Sequence, residues 1–299
     1  MKLSQKTALV TGASRGIGRA IALALAQQNL KTLILVARDR AKLRELATEI
    51  NSFNFGIKVV VLPLDLTKIK AVNMTIIKAW RDYGAIQLLV NCAGVAHQST
   101  FLQIKPSQME GEVSLNLMGT YNVTRLIAKR MVRQQEGTIV NVSSLMGKIA
   151  APTMATYSAT KFALVGFSQA LRAELADDNV RVVSLLPTLT DTDMVRGLKL
   201  FRFVKPMTPE QVASTLVLGL KRNRHEIYVG WQSHLALLCQ RFAPWLLDLI
   251  LAIATPRLRK RATFERILLF YRSNLCKIAR KLRYFKRLIW SGKFKIWRW

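Results

Sequence analysis

Short apolar runs alternate with longer amphipathic stretches over the first 230 residues. Several runs, such as Leu33–Val36 and Val59–Leu62, are apolar at every position, which is typical of strands buried between two helix layers. The candidate strands are Thr7–Thr11, Thr32–Ala37, Lys58–Leu64, Gln87–Asn91, Thr138–Ser143, Arg181–Leu186 and Glu226–Val229. The stretches between them are long enough for crossover helices: Gly16–Asn29, Arg40–Asn51, Lys68–Trp80, Ser107–Arg133, Thr153–Ala176 and Pro209–Asn223.

This alternation predicts an α/β fold, a doubly wound parallel sheet with right-handed crossovers. We assign residues 1–232 to a single α/β domain. Residues 233–299 form a predicted helical extension that is first hydrophobic and then basic.

The charge of the chain is concentrated at its end. Lys and Arg number 46 against 17 acidic residues, a net charge of +29, and residues 256–299 hold 15 of the basic residues and one acid. Apolar residues recur there at steps of three and four, which predicts a basic amphipathic helix. Trp290, Trp297 and Trp299 are its expected interfacial anchors. We expect this tail to bind an anionic membrane surface. Packing on the chain's own domain is the alternative, and nucleic acid is disfavoured because no motif for it accompanies the charge.

The segment Leu235–Ala254 is also apolar, but it contains Pro244, Arg241 and Asp248. A charge at the centre of a membrane-spanning helix costs about 2.5–3.5 kcal/mol on insertion scales. The pattern therefore favours a helix lying in the membrane interface, or one covering an apolar pocket, over a span.

No secretory signal precedes the first strand, and the three cysteines are scattered. We therefore expect a cytoplasmic protein, peripherally attached to a membrane, without a metal site.

A glycine-rich loop follows the first candidate strand and opens the first helix. It runs from Thr11 to Gly18 with the spacing G-x-x-x-G-x-G. Glycines let the backbone approach a pyrophosphate, which the free N–H groups and dipole of the helix then bind. The loop predicts a dinucleotide site, with a structural turn as the alternative reading.

Tyr157 and Lys161 stand four residues apart on a predicted helix, so they share one face. An ammonium beside a phenol favours the phenolate, and we expect it to lower the pKa of Tyr157 from about 10. A phenol tuned in this way can exchange a proton with a carbonyl or alcohol oxygen.

Further motifs follow in order along the chain: Asp65, the run Asn91-Cys92-Ala93-Gly94, Asn116, Ser144, and a proline–threonine pair at Pro187 and Thr192. With the glycine loop and the Tyr157–Lys161 pair, the chain resembles the short-chain dehydrogenase/reductase superfamily over residues 5 to 230. The resemblance implies a Rossmann-type fold and a catalytic set of Asn116, Ser144, Tyr157 and Lys161.

In that family the tyrosine is the general acid/base and the lysine also holds the nicotinamide ribose. The serine binds the substrate oxygen, so the implied substrate-binding residues are Ser144 and Tyr157. The asparagine holds a water that joins the lysine to a proton relay. Taken singly, Ser144 could simply end a strand, and Asn116 could satisfy a buried backbone group.

The end of the second strand indicates the cofactor. NAD enzymes of this fold usually carry an acid there, whereas this chain has Ala37 followed by Arg38. An arginine pairs with a 2′-phosphate, and Arg15 is a second such cation, so we expect NADP(H). Asp39 is expected to face away. The expected cofactor-binding residues are Thr11, Gly12, Ser14, Arg15, Gly16, Ile17, Gly18, Arg38, Asp65, Asn91, Ala93, Gly94, Tyr157, Lys161, Pro187 and Thr192.

The segment Met194–Met207 occupies the place of the family's variable substrate lid and mixes apolar with cationic residues. We interpret the chain as an NADPH-dependent oxidoreductase that interconverts a ketone and a secondary alcohol on a lipophilic substrate, of acyl, sphingoid or steroid-like type. The alternative is a nucleotide-binding regulatory protein, attached to a membrane or nucleic acid, without turnover. A homodimer is a further expectation.

Overall fold

A computed structural model describes residues 3–202 and 204–256. Seven parallel strands form one sheet in the order β3-β2-β1-β4-β5-β6-β7. The strands are β1 (Thr7–Thr11), β2 (Thr32–Ala37), β3 (Lys58–Pro63), β4 (Leu88–Asn91), β5 (Gly137–Val142), β6 (Val180–Leu186) and β7 (Glu226–Tyr228). Each predicted strand is confirmed to within two residues at either end.

Helices connect the strands and cover both faces of the sheet. They are α1 (Gly16–Ala26), α2 (Arg40–Ser52), α3 (Ile69–Tyr83), α4 (Pro106–Glu112), α5 (Thr120–Arg133), α6 (Ala155–Glu174), α7 (Asp193–Arg196), α8 (Pro209–Lys221), α9 (Trp231–Phe242) and α10 (Pro244–Ala254). A short 3₁₀ turn, Leu145–Gly147, follows β5.

Alternate strand residues feed two separate cores. Ala8 and Val10 of β1 pack with α1, α2 and α8, whereas Leu9 packs with α3 and α5 on the opposite face. Because both faces are buried, β1 is apolar at its three central positions. This packing confirms the doubly wound α/β architecture.

The strand order reverses between β1 and β4, which are direct neighbours in the sheet. Crossovers leave this point in opposite directions, so the carboxyl ends of the two strands open a crevice that the helices do not cover. The glycine loop after β1 and the loop after β4 border this crevice.

Two predicted segments differ from the structure. The stretch expected as one helix over Ser107–Arg133 begins at Pro106 and passes through a π-helical segment, Val113–Gly119, between α4 and α5. The apolar segment Leu235–Ala254 is divided between α9 and α10, because Ala243 leaves the helical conformation (φ −143°, ψ 60°) before Pro244.

Within the described part of the chain, no helix has both the length and the apolar character needed to cross a bilayer. The predicted amphipathic tail, residues 257–299, lies outside the described residues. The boundary between residues 232 and 233 stays a prediction.

Candidate active site

The glycine loop between β1 and α1 forms one wall of a cleft of about 480 Å³ at the switch point. Gly12 has φ +69°, and a Cβ there would lie 2.8 Å from backbone atoms of Ala93. A Cβ at Gly18 would lie 2.2 Å from the Gly12 carbonyl oxygen. Both positions need glycine, because the loop after β4 and the start of α1 pack directly against the turn. The first turn of α1 thus remains open to an anion.

Three cations border the end of this cleft nearest β2. Arg15, Arg38 and Lys42 all line it, with Ala37 and Asp39 between them. Asp39 does not face away as expected; its carboxylate caps α2 by accepting from the Lys42 backbone N–H at 3.1 Å. The sequence analysis did not predict Lys42, which lies three residues after the N-cap Asp39 and is therefore in the first turn of α2.

Tyr157 and Lys161 lie at the other end of the cleft on α6. The Lys161 Nζ lies 5.5 Å from the centre of the Tyr157 ring and donates to the Val142 carbonyl oxygen at 3.0 Å. Lys161 is buried, and Tyr157 is half-buried. The i, i+4 spacing therefore places a phenol and an ammonium side by side, next to the carboxyl end of β5.

The pKa values of this pair differ from the expectation. Burial lowers the pKa of Lys161 to about 8. Burial also raises the pKa of Tyr157 to about 12, against a hydrogen bond from Ser144 that lowers it, and the charges of Glu112 and Cys92 add to the rise. The predicted lowering of the tyrosine pKa is wrong for this structure, because removal of the phenolate from water outweighs the hydrogen bond from Ser144.

The short chain dehydrogenase family matches residues 6–201 of this chain. A 3-oxoacyl-[acyl-carrier-protein] reductase of Synechocystis is 33% identical over 221 residues, which cover 72% of this chain and 88% of that protein. The corresponding reductase of Aquifex aeolicus is 35% identical over 194 residues, covering 65% of this chain and 77% of the relative. The chain belongs to the short-chain dehydrogenase family. It is accordingly an oxidoreductase that acts on CH–OH and C=O groups.

Solved structures agree with this assignment. A short-chain dehydrogenase of Burkholderia cenocepacia, in complex with NADP, has a TM-score of 0.73 and 27% identity, and the match covers 86% of this chain and all of that one. A short-chain dehydrogenase of Sphingobium yanoikuyae, in complex with NADPH, has a TM-score of 0.71 and 27% identity, with 86% and 99% covered.

In this dehydrogenase, Asn116 lies in the π-helical segment and is fully buried. Its side-chain amide forms two hydrogen bonds with the backbone of Val95: Oδ1 accepts from the N–H at 2.8 Å, and Nδ2 donates to the carbonyl oxygen at 2.9 Å. Nδ2 also donates to Thr160 Oγ1 at 3.2 Å. A Cβ on Gly94 would lie 3.2 Å from this Oδ1 and 3.8 Å from Lys161 Nζ. Asn116 therefore satisfies buried backbone groups, while standing close to the ammonium.

Glu112 and His97 form a pair that the sequence reading missed. Glu112 is fully buried one turn before Asn116, and its Oε1 accepts from the His97 N–H at 2.6 Å and contacts the ring Nδ1 at 3.2 Å. Its Oε2 has no hydrogen-bond partner, and burial raises the pKa of the carboxyl. Glu112 and Asn116 thus hold the same loop, 95–97, beside Tyr157.

Twelve predicted cofactor residues line the cleft: Gly12, Ser14, Arg15, Gly16, Ile17, Gly18, Arg38, Ala93, Gly94, Tyr157, Lys161 and Thr192. The remaining four, Thr11, Asp65, Asn91 and Pro187, do not line it. Thr11 Oγ1 accepts from the backbone N–H groups of Cys92 and Ala93. Asp65 instead accepts from Thr67.

Asn91 turns away from the cleft into the interior, where its Nδ2 donates to Thr124 and Asn141 at 2.8 Å. The Pro187 carbonyl accepts from the Leu145 N–H. Asn91 and Pro187 therefore hold in place the strands and loops that line the cleft. Ser144 caps the 3₁₀ turn after β5, where its Oγ accepts from the Met146 N–H at 3.1 Å, and it hydrogen-bonds the Tyr157 phenol.

Proposed function

We propose that this chain is an NADPH-dependent ketoreductase that interconverts a ketone and a secondary alcohol on a lipophilic substrate. The observation that carries the proposal is a single cleft that joins an open phosphate loop at one end to the Tyr157–Lys161 pair at the other. A protein that binds a nucleotide without turnover does not require a proton-donating pair such as Tyr157 and Lys161 in the same cleft.

The residues of the cleft fit NADP(H). The glycine cradle leaves no space for side chains where Gly12 and Gly18 meet their neighbours. Arg15, Arg38 and Lys42 line the cleft, and their three positive charges would hold an adenosine 2′-phosphate. Thr192, whose methyl group would be 3.1 Å from a Cβ on Gly16, lines the cleft beside the phosphate loop.

When NADPH is bound, its nicotinamide supplies the hydride to the carbonyl carbon. Tyr157 donates its phenolic proton to the carbonyl oxygen, so one hydride and one proton convert the ketone to the alcohol. Ser144 holds the same oxygen through a hydrogen bond. The buried Lys161 places its charge beside the phenolate left behind, and Asn116 fixes the loop that borders both groups.

The composition of residues 194–207 supports the proposal of a lipophilic substrate. Residues 194–207, which we call the lid, begin at Met194 on the rim of the cleft and carry exposed Leu200 between the cations Lys199 and Arg202. Relatives named as 3-oxoacyl-[acyl-carrier-protein] reductases act on an acyl chain, which supports the acyl class for this chain. The basic tail, residues 257–299, would bring the enzyme to an anionic membrane through its charge.

The decisive experiment is Tyr157→Phe, assayed by NADPH consumption over a panel of hydrophobic ketones. We expect turnover to fall by at least about a hundredfold, because the proton donor is lost, while NADPH affinity stays within about twofold. Tyr121→Phe is the matched control, because that tyrosine lies on α5 against Phe167 and outside the cleft. Retained turnover in Tyr157→Phe would refute the mechanism. Nucleotide binding without turnover in the unmodified protein would establish the regulatory alternative.

A further inference from the structure

Helix α9 exposes an unusual apolar stripe. Trp231, Leu235, Leu238 and Phe242 recur at steps of four, three and four, so they share one face of the helix. Each is more than half exposed, with Phe242 at 75%. Side chains of this size are normally buried, and a contiguous row of them on a surface marks an interaction site.

Helix α10 continues this surface along the chain. Its exposed large apolar side chains are Trp245, Leu246, Ile250 and Ile253, whereas Leu247 and Ala254 are buried. Asp248 is the only charged residue in this helix. The two helices have 12 and 11 residues, about 18 and 16 Å at 1.5 Å per residue. Both are much shorter than the hydrocarbon core of about 30 Å, so they could only lie in one leaflet.

The lid is attached to this surface. The Arg202 N–H donates to the Ala254 carbonyl at the end of α10, at 2.9 Å. Lys199 and Gln98 exchange two hydrogen bonds, of 2.7 and 2.9 Å, which tie the lid to the loop after β4. A contact made by α9 and α10 would therefore place the entrance of the cleft next to the same partner.

The charges around the stripe identify that partner. The lid and the two helices together carry five basic residues against the single acid Asp248: Arg196, Lys199, Arg202, Lys205 and Arg241. A second copy of this chain would bring the same cations against one another, whereas anionic headgroups would neutralise them. Apolar anchors flanked by cations, with aromatic residues among the anchors, are the features of a surface that lies in a membrane interface.

We propose that α9 and α10 form a membrane-insertion surface that seats the lid against an anionic lipid leaflet. It is distinct from the contact expected of the basic tail because different side chains make it, and the part driven by burial of these apolar side chains persists when salt screens the charges. Entry of a lipophilic ketone from the bilayer through the lid rests on the proposed function. The membrane contact itself does not.

The test uses the full chain and vesicles of phosphatidylcholine with phosphatidylglycerol, in co-sedimentation at about 0.1 M and about 0.5 M salt. Leu235→Ser with Phe242→Ser should lower the partition coefficient about tenfold to a hundredfold at the higher salt, because two largely exposed apolar side chains no longer enter the lipid. Ile69→Ser with Met74→Ser, at exposed positions of α3, is the matched control and should bind like the unmodified protein.

Equal partition of the stripe variant and the unmodified protein at the higher salt would overturn the proposal. So would an unmodified protein that does not sediment with vesicles. Loss of self-association in the stripe variant, measured by sedimentation velocity without lipid, together with unchanged vesicle binding would assign the face to a second copy instead. NADPH consumption with a small water-soluble ketone is followed in parallel. Its absence in all variants would refute the proposed function alone.

Discussion

Lys161 is a buried cation whose replacement by methionine should make the protein more stable at neutral pH while it abolishes turnover. Lys161 is 5% exposed, and burial lowers its pKa from 10.5 to about 8. Methionine keeps most of the unbranched stem and removes the charge. We therefore expect the substitution to relieve the cost of holding an ammonium in the interior.

The magnitude follows from the pKa. A drop from 10.5 to about 8, at about 1.4 kcal/mol per unit, makes the charged side chain cost about 3 kcal/mol in the folded state below pH 8. The substitution also removes the hydrogen bond to the Val142 carbonyl and leaves a buried acceptor, at about 1–2 kcal/mol. The expected net gain in the free energy of unfolding at pH 7 is about 1–2 kcal/mol.

The sign of the pH dependence is fixed by the lowered pKa. Between pH 8 and 10.5 the unfolded chain binds a proton at this lysine and the folded chain does not, so the stability of the unmodified protein rises across that window. The advantage of Lys161→Met should therefore shrink above pH 8 and reverse by about pH 10.5. Denaturant unfolding at pH 7 and pH 10 measures this. Lys78→Met, at an exposed position of α3, controls for hydrophobicity alone. A gain that is absent at pH 7, or equal at both pH values, would refute the reasoning.

Three further variants test the site. Glu112→Gln removes a charge that raises the pKa of the active-site phenol, so the pKa of Tyr157, measured by ultraviolet titration of its phenolate against a Tyr157→Phe background, should fall; an unmoved titration contradicts this. Ala37→Asp with Arg38→Ile should shift the ratio of the kcat/KM values for NADPH and NADH toward NADH by about tenfold to a hundredfold, since a charge-assisted pair is worth about 1.5–3 kcal/mol. An unmodified enzyme that prefers NADH would reverse the cofactor assignment. Gly12→Ala should cost about 1–3 kcal/mol of stability and weaken NADPH binding, because Gly12 has a positive φ and its new Cβ would meet the backbone of Ala93. Gly166→Ala, where the new Cβ meets open space, should be tolerated.

The fold was predictable because its signal is local. A run such as Leu33–Val36, apolar at every position, can be satisfied only between two layers, and the turns at each end limit its length. The π-helical segment before α5 gave no such signal, because one extra residue per turn does not disturb an amphipathic pattern that is already mixed. The break at Ala243 was signalled by Pro244, yet the apolar composition around it favoured one continuous segment.

The site was predictable as a set of residues but only in part as a set of contacts. The spacing of Tyr157 and Lys161 gives their shared face, since four residues along a helix fix it. The direction of Asn91 does not follow from its motif. Its amide bonds with Thr124 and Asn141, which are 33 and 50 residues away in sequence. Glu112 was missed for the same reason, because its partner His97 comes from a different loop.

The electrostatics of the pair show what spacing alone leaves out. A neighbouring ammonium lowers the pKa of a phenol, but the same cleft that brings Tyr157 and Lys161 together also removes both from water. With pKa values of about 8 for Lys161 and about 12 for Tyr157, the folded site at neutral pH holds a charged lysine and a protonated phenol. That is the form that donates a proton. In this protonation state Tyr157 can donate a proton to a carbonyl oxygen, whereas alcohol oxidation has to begin from a phenolate that this burial disfavours.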